Sequence, residues 1–128
     1  MGTVGGVFTR QAAWYIAGTL TTGANKSAEF VYRGPTGTIK RADAHVQTAP
    51  TDADIICDIN KNGVSIWTTQ ANRVTIVAGA TSGTQTTFNT TTIADGDILT
   101  LDIDQVGAAV AGSSLTVLLE IEVPIEVA

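Results

Sequence analysis

Ile98-Leu99-Thr100-Leu101-Asp102-Ile103-Asp104, followed after a small loop by Leu115-Thr116-Val117-Leu118-Leu119-Glu120-Ile121-Glu122-Val123, decides the fold class. On an extended chain, Leu99, Leu101 and Ile103 fall on one side and Thr100, Asp102 and Asp104 on the other. In the second run Leu115, Val117, Leu119, Ile121 and Val123 share a side. One apolar and one polar face at a period of two describes a half-buried antiparallel strand. The small, flexible loop at residues 107–114 returns the chain, so the second run is expected to be the partner of the first. Pro124 has no amide hydrogen and is expected to end the second strand's ladder.

The same pattern extends upstream. Across residues 40–48, Ala42, Ala44 and Val46 alternate with Arg41, Asp43, His45 and Gln47, while Ile39 is out of phase and predicts a bulge or a strand start. Ile55, Cys57 and Ile59 alternate with Ile56, Asp58 and Asn60, and Val64-Ser65-Ile66-Trp67 follows across Lys61-Asn62-Gly63. Asn62-Gly63 tolerates the positive φ that a tight reversal between twisted strands demands, so a hairpin is expected there. Residues 11–16, 29–33, 73–77 and 84–88 read as further strands, the second of them closed by Gly34-Pro35-Thr36-Gly37. About eight to ten such strands without a helical period specify an all-β, antiparallel two-sheet β-sandwich, and eight in Greek-key order would make a jelly roll.

The length of 128 residues fits one domain. Residues 1–23, with Gly2, Gly5 and Gly6 and a single charge at Arg10, read as an extended N-terminal arm and first strand, and residues 24–128 as the sandwich. Charged residues are only 15% of the chain, and twelve acids against seven bases give a net charge of −5. The bases are scattered singly, so nucleic acid is not an expected partner. Cys57 stands alone and forms no intrachain disulfide. A basic-then-apolar leader is missing from the N-terminal residues, and no run approaches the ~20 apolar residues of a membrane span, so a protein made without a signal peptide and away from membranes is expected.

Catalytic chemistry finds little to work with. His45 is the one histidine, and it sits in the outward series Arg41-Asp43-His45, as a solvated side chain without a nucleophile to serve. Cys57 alternates with Ile55 and Ile59 as an inert core thiol. Asp95, Asp97, Asp102 and Asp104 are close in sequence, but they lack the regular oxygen spacing of a calcium loop, and nothing places a pair of them in a cleft for glycoside hydrolysis. No glycine-rich stretch continues into a phosphate loop. No enzyme, metal or cofactor is expected. Exposed sugar platforms would have to come from Trp14, Tyr15, Tyr32 or Trp67, and since Ile66 and Trp67 are adjacent on a strand, one of the two is expected to face outward.

Residues 37–50, 53–66 and 93–107 together resemble a small jelly-roll or β-sandwich module of tailed-phage virion structural proteins, over most of residues 28–123. The resemblance implies a protein of the virion, of the capsid decoration or cement type or the tail or fibre type. With no fibre shaft and no second domain, the decoration type fits better. It implies self-association, with a homotrimer favoured, and contact with the major capsid protein or another virion protein. Val4, Val7, Phe8, Trp14, Tyr15 and Trp67 are the candidate assembly residues. The alternative is a tail or fibre adhesin that binds host-surface glycan through the loops at 79–83 and 107–114.

Overall fold

A computed structural model describes residues 3–127. The described residues form ten strands: β1 (Thr3–Thr19), β2 (Phe30–Val31), β3 (Gly37–Thr48), β4 (Ile55–Lys61), β5 (Val64–Ser65), β6 (Val74–Ile76), β7 (Ser82–Gln85), β8 (Thr92–Ile93), β9 (Ile98–Gln105) and β10 (Ser113–Val127). A single 3₁₀ turn at Gln70–Asn72 is the sole helical element among the described residues.

One sheet has the order β1-β10-β3-β7, with β8 also on β3; the other has the order β2-β9-β4-β5, with β6 also on β4. All pairings are antiparallel, and they nest: β1 with β10, β2 with β9, β3 with β7, β4 with β6. First pairs with last and second with next to last, as in one long hairpin folded over so that successive pairs fall into alternate sheets. That is the jelly-roll order, in which β5 and β8 are short additions.

The two inner faces supply the core. Leu99, Leu101 and Ile103 of β9 and Ile55, Cys57 and Ile59 of β4 pack opposite Leu115, Val117, Leu119 and Ile121 of β10 and Ala42, Ala44 and Val46 of β3, all buried. The alternation read in the sequence therefore marks the true core face. Its two best strands, however, are not partners. β9 and β10 lie in different sheets and face each other across the core, because the loop between them crosses from one sheet to the other.

Three local details follow from the residues. In β3, Ile121 of β10 lies opposite Ile39 and Glu120 opposite Arg41, so Lys40 is an extra residue, a bulge that puts Ile39 back on the buried face. The reversal after β4 pairs Lys61 with Val64 across Asn62 (φ 51°) and Gly63 (φ 84°), the hairpin that the sequence predicts. Pro124 does not end its strand. β10 continues to Val127 with Pro124 opposite Val7, while the pairing of β10 with β3 stops at Glu122 opposite Thr38. Beyond that point β10 has one neighbour only, and a residue without an amide hydrogen is tolerated where one side of the strand is open.

The N-terminal stretch is likewise strand. β1 pairs with β10 from Thr3 to Thr19, and Ala12 and Trp14 belong to the core. Only its first part, with the end of β10, runs on past β3 as a two-stranded ribbon.

Candidate assembly surface

β1 and β2 are the end strands of their sheets, and they lie over one another on the same side of the sandwich. Trp14 of β1 meets Phe30 of β2 edge to face, with ring centroids 6.5 Å apart. Arg10 of β1 reaches across the same gap. Its guanidinium lies 5.3 Å from the Phe8 ring centroid and 6.0 Å from that of Tyr32, and it donates to the Arg33 carbonyl at 2.5 Å. Gly34 (φ 138°) makes room for it, because a Cβ there would sit 2.6 Å from the guanidinium. Arg10, Gln11, Phe30, Tyr32, Arg33 and Ile121 line a shallow notch of about 330 Å³ along this open side.

Between the register irregularities at Val4/Gly6 and Ile16/Thr19, β1 is regular, and its outer side has no strand beside it. Proteins commonly blunt such an edge with charge, proline or bulges. Across Thr3–Thr19 the only charged side chain is Arg10, and there is no proline. Val7 and Tyr15 point to solvent, 56% and 69% exposed, and Phe8 is 36% exposed.

The six candidate assembly residues thus divide. Val7, Phe8 and Tyr15 are on the surface of one strand. Trp14 and Trp67 are fully buried in the core and have no surface to offer a neighbour. The side chain of Val4 lies outside the described residues. Trp67 also departs from the alternation. After β5 ends at Ser65 the chain turns, with the Ser65 hydroxyl accepting the Trp67 amide at 3.0 Å, and both Ile66 and Trp67 go inward. The indole stacks on Phe88 at 5.5 Å and donates to the Thr87 carbonyl at 2.8 Å.

The titratable residues singled out in the sequence fall into three environments. Cys57 is buried, and its thiol is pushed up to about 12 by burial, with Asp104 and Asp58 adding. A thiol held so firmly protonated is no nucleophile. His45 is exposed beside Tyr15 and Gln47 in a hollow with no carboxylate to orient it. Asp95 accepts from the Gly34 amide at 3.0 Å and from Arg33 at 3.4 Å. Asp97 accepts from the Ala94 amide at 2.8 Å and from the Asn62 amide group at 3.0 Å, and these donors hold it below the usual carboxylate range. Asp102 accepts from the Asn25 amide and Asn60, and Asp104 pairs with Arg73 at 2.8 Å. These acids are spent on turns and cross-strand ties.

Sequence reasoning missed the edge itself. Strand order, which leaves β1 with an unpartnered side, depends on pairings far apart in the chain. The signal that was present is the scarcity of charge in the first 23 residues.

No family model matches the chain, and no curated protein sequence matches it. Solved structures do. The chain is similar to one in the cyanophage Pam1 capsid asymmetric unit, at 14% identity and TM-score 0.48, covering 94% of this chain and 87% of that one. It is similar to one in the acidic stable capsid structure of Helicobacter pylori bacteriophage KHP30, at 10% identity and TM-score 0.50, covering 100% of this chain and 98% of that one. The second likeness is one of fold along the whole length.

Proposed function

We propose that the chain is a bacteriophage virion structural protein without enzymatic activity, a decoration or cement protein that self-associates on the head and braces neighbouring capsid subunits. The observation that carries this reading is the β1 edge: a strand regular between its two register irregularities, with one charged residue and no proline, left open along one side of the sandwich. A fold with such an edge is completed by a neighbour. The two-stranded ribbon past β3 adds to it, since an isolated pair of strands is marginal in water and gains from a surface to lie on.

The whole-length likeness to a chain of a phage capsid structure supports the setting. The burial of Cys57 and the structural hydrogen bonds and ion pair of Asp95, Asp97, Asp102 and Asp104 favour a structural over a catalytic reading. Self-association as a trimer is the state that the resemblance favours, with the major capsid protein as the other partner. The test is co-sedimentation with purified heads that lack the protein. Saturable binding to heads is expected. Binding to host cell surface or glycan with none to heads would replace this reading with the tail or fibre adhesin.

A further inference from the structure

We infer that β1 pairs edge to edge with β1 of a second copy, antiparallel about a two-fold axis at Gln11. The inference deepens the proposed self-association and rests on it, naming one surface and one register. Copies carrying −5 each repel, so they meet most easily where the surface is neutral. β1 is that place. Its one charge, Arg10, is drawn off the edge onto the Phe8 and Tyr32 rings and the Arg33 carbonyl.

The register follows from the exposed side chains. With Gln11 opposite its own copy, Tyr15 falls opposite Val7, and among the described side chains of the strand these are the two most exposed large apolar ones. Each pair occurs twice, once on either side of the axis. Thr9 meets Ala13, and on the inner face Phe8 meets the position of Trp14. Arg10 meets Ala12, so no like charges face each other. An aromatic against a β-branched residue is a favourable cross-strand pair. No other centre sets Val7 opposite Tyr15, so only this register packs all four side chains of the two copies in matched pairs. The contact is isologous and joins copies in twos, so it links neighbouring trimers where trimers form.

Cross-linking reads the register directly, because the single native thiol, Cys57, is buried. Gln11→Cys is expected to give a disulfide-linked dimer under mild oxidation. Thr9→Cys and Ala13→Cys are each expected to stay unlinked alone, their own copies lying about four residues out of register, and to cross-link when mixed. Tyr15→Lys, at a position open to solvent, is expected to leave thermal unfolding unchanged and to weaken pairwise association at least about tenfold. Trimers on sizing with no Gln11→Cys dimer would overturn the inference and leave the self-association standing. A protein monomeric at every concentration would overturn both.

Discussion

Asp58 of β4 stands directly opposite Asp102 of β9, two carboxylates paired across neighbouring strands on the outer face of one sheet. Like charges in that position repel, and the surroundings divide the cost. Asp102 accepts from the Asn25 amide and from Asn60, both at 2.8 Å. Asp58 is buried, with Ser65 donating at 2.6 Å and Gln70 at 3.4 Å. Burial outweighs those donors, with Asp104 and Asp102 adding to it, and the Asp58 carboxyl titrates above its ordinary range.

The folded protein therefore holds a proton on Asp58 more tightly than the unfolded chain does. This contribution is fully present below the ordinary carboxylate value and is lost as pH rises through the raised folded value. Asp58→Asn removes it. The stability of the variant relative to the parent is expected to improve from acid to neutral pH, and thermal melts across that range check it. A stability difference flat in pH would contradict the assignment.

Asp97 predicts the opposite sign. The Ala94 amide and Asn62 lower its folded value, so its contribution is present above the ordinary carboxylate value and lost as pH falls through the lowered one. Asp97→Asn is expected to cost about 1–2 kcal/mol at neutral pH, with the gap to the parent closing in acid. Denaturant titrations at two pH values read both.

The two tryptophans make a matched comparison. Trp67 Nε1 donates to the Thr87 carbonyl, whereas Trp14 Nε1 is buried without a partner. Trp67→Phe leaves a carbonyl without its donor, and Trp14→Phe removes an unsatisfied donor. Trp67→Phe is expected to be the more destabilising by about 1 kcal/mol, as read by urea unfolding. Equal losses would mean that packing alone sets both.

Gly83 of β7 passes close to β6 in the other sheet, and a Cβ there would lie 1.8 Å from the Thr75 carbonyl oxygen. Backbone meets backbone at this corner, so neither side yields as a side chain would. Gly83→Ala is expected to cost about 3 kcal/mol, seen as a lower midpoint of thermal unfolding.

How much of this was legible in the sequence depends on distance along the chain. The inner faces of β9 and β10, the Asn62-Gly63 reversal and an irregularity at Ile39 follow from neighbours within a few residues, and the sequence carries them, while the pairing with β10 makes that irregularity a bulge at Lys40. The assignment of β9 and β10 to opposite sheets does not, because alternation marks a strand's buried face and is silent on which strand lies beside it. The expectation that Ile66 or Trp67 faces outward fails because alternation lapses once the chain leaves β5. Pro124 was misjudged because its tolerance depends on where β3 ends. Of the candidate surface, Val7, Phe8 and Tyr15 were legible as apolar residues in a weakly charged stretch. That they flank one open edge is a property of the topology.

The most direct measurement of the proposed virion role is quantitative mass spectrometry of density-purified particles from a phage lysate that contains the chain. The protein is expected in the particle band, in copy numbers of the same order as the major capsid protein. Its absence from purified particles, with the protein recovered only in the soluble lysate, would contradict it.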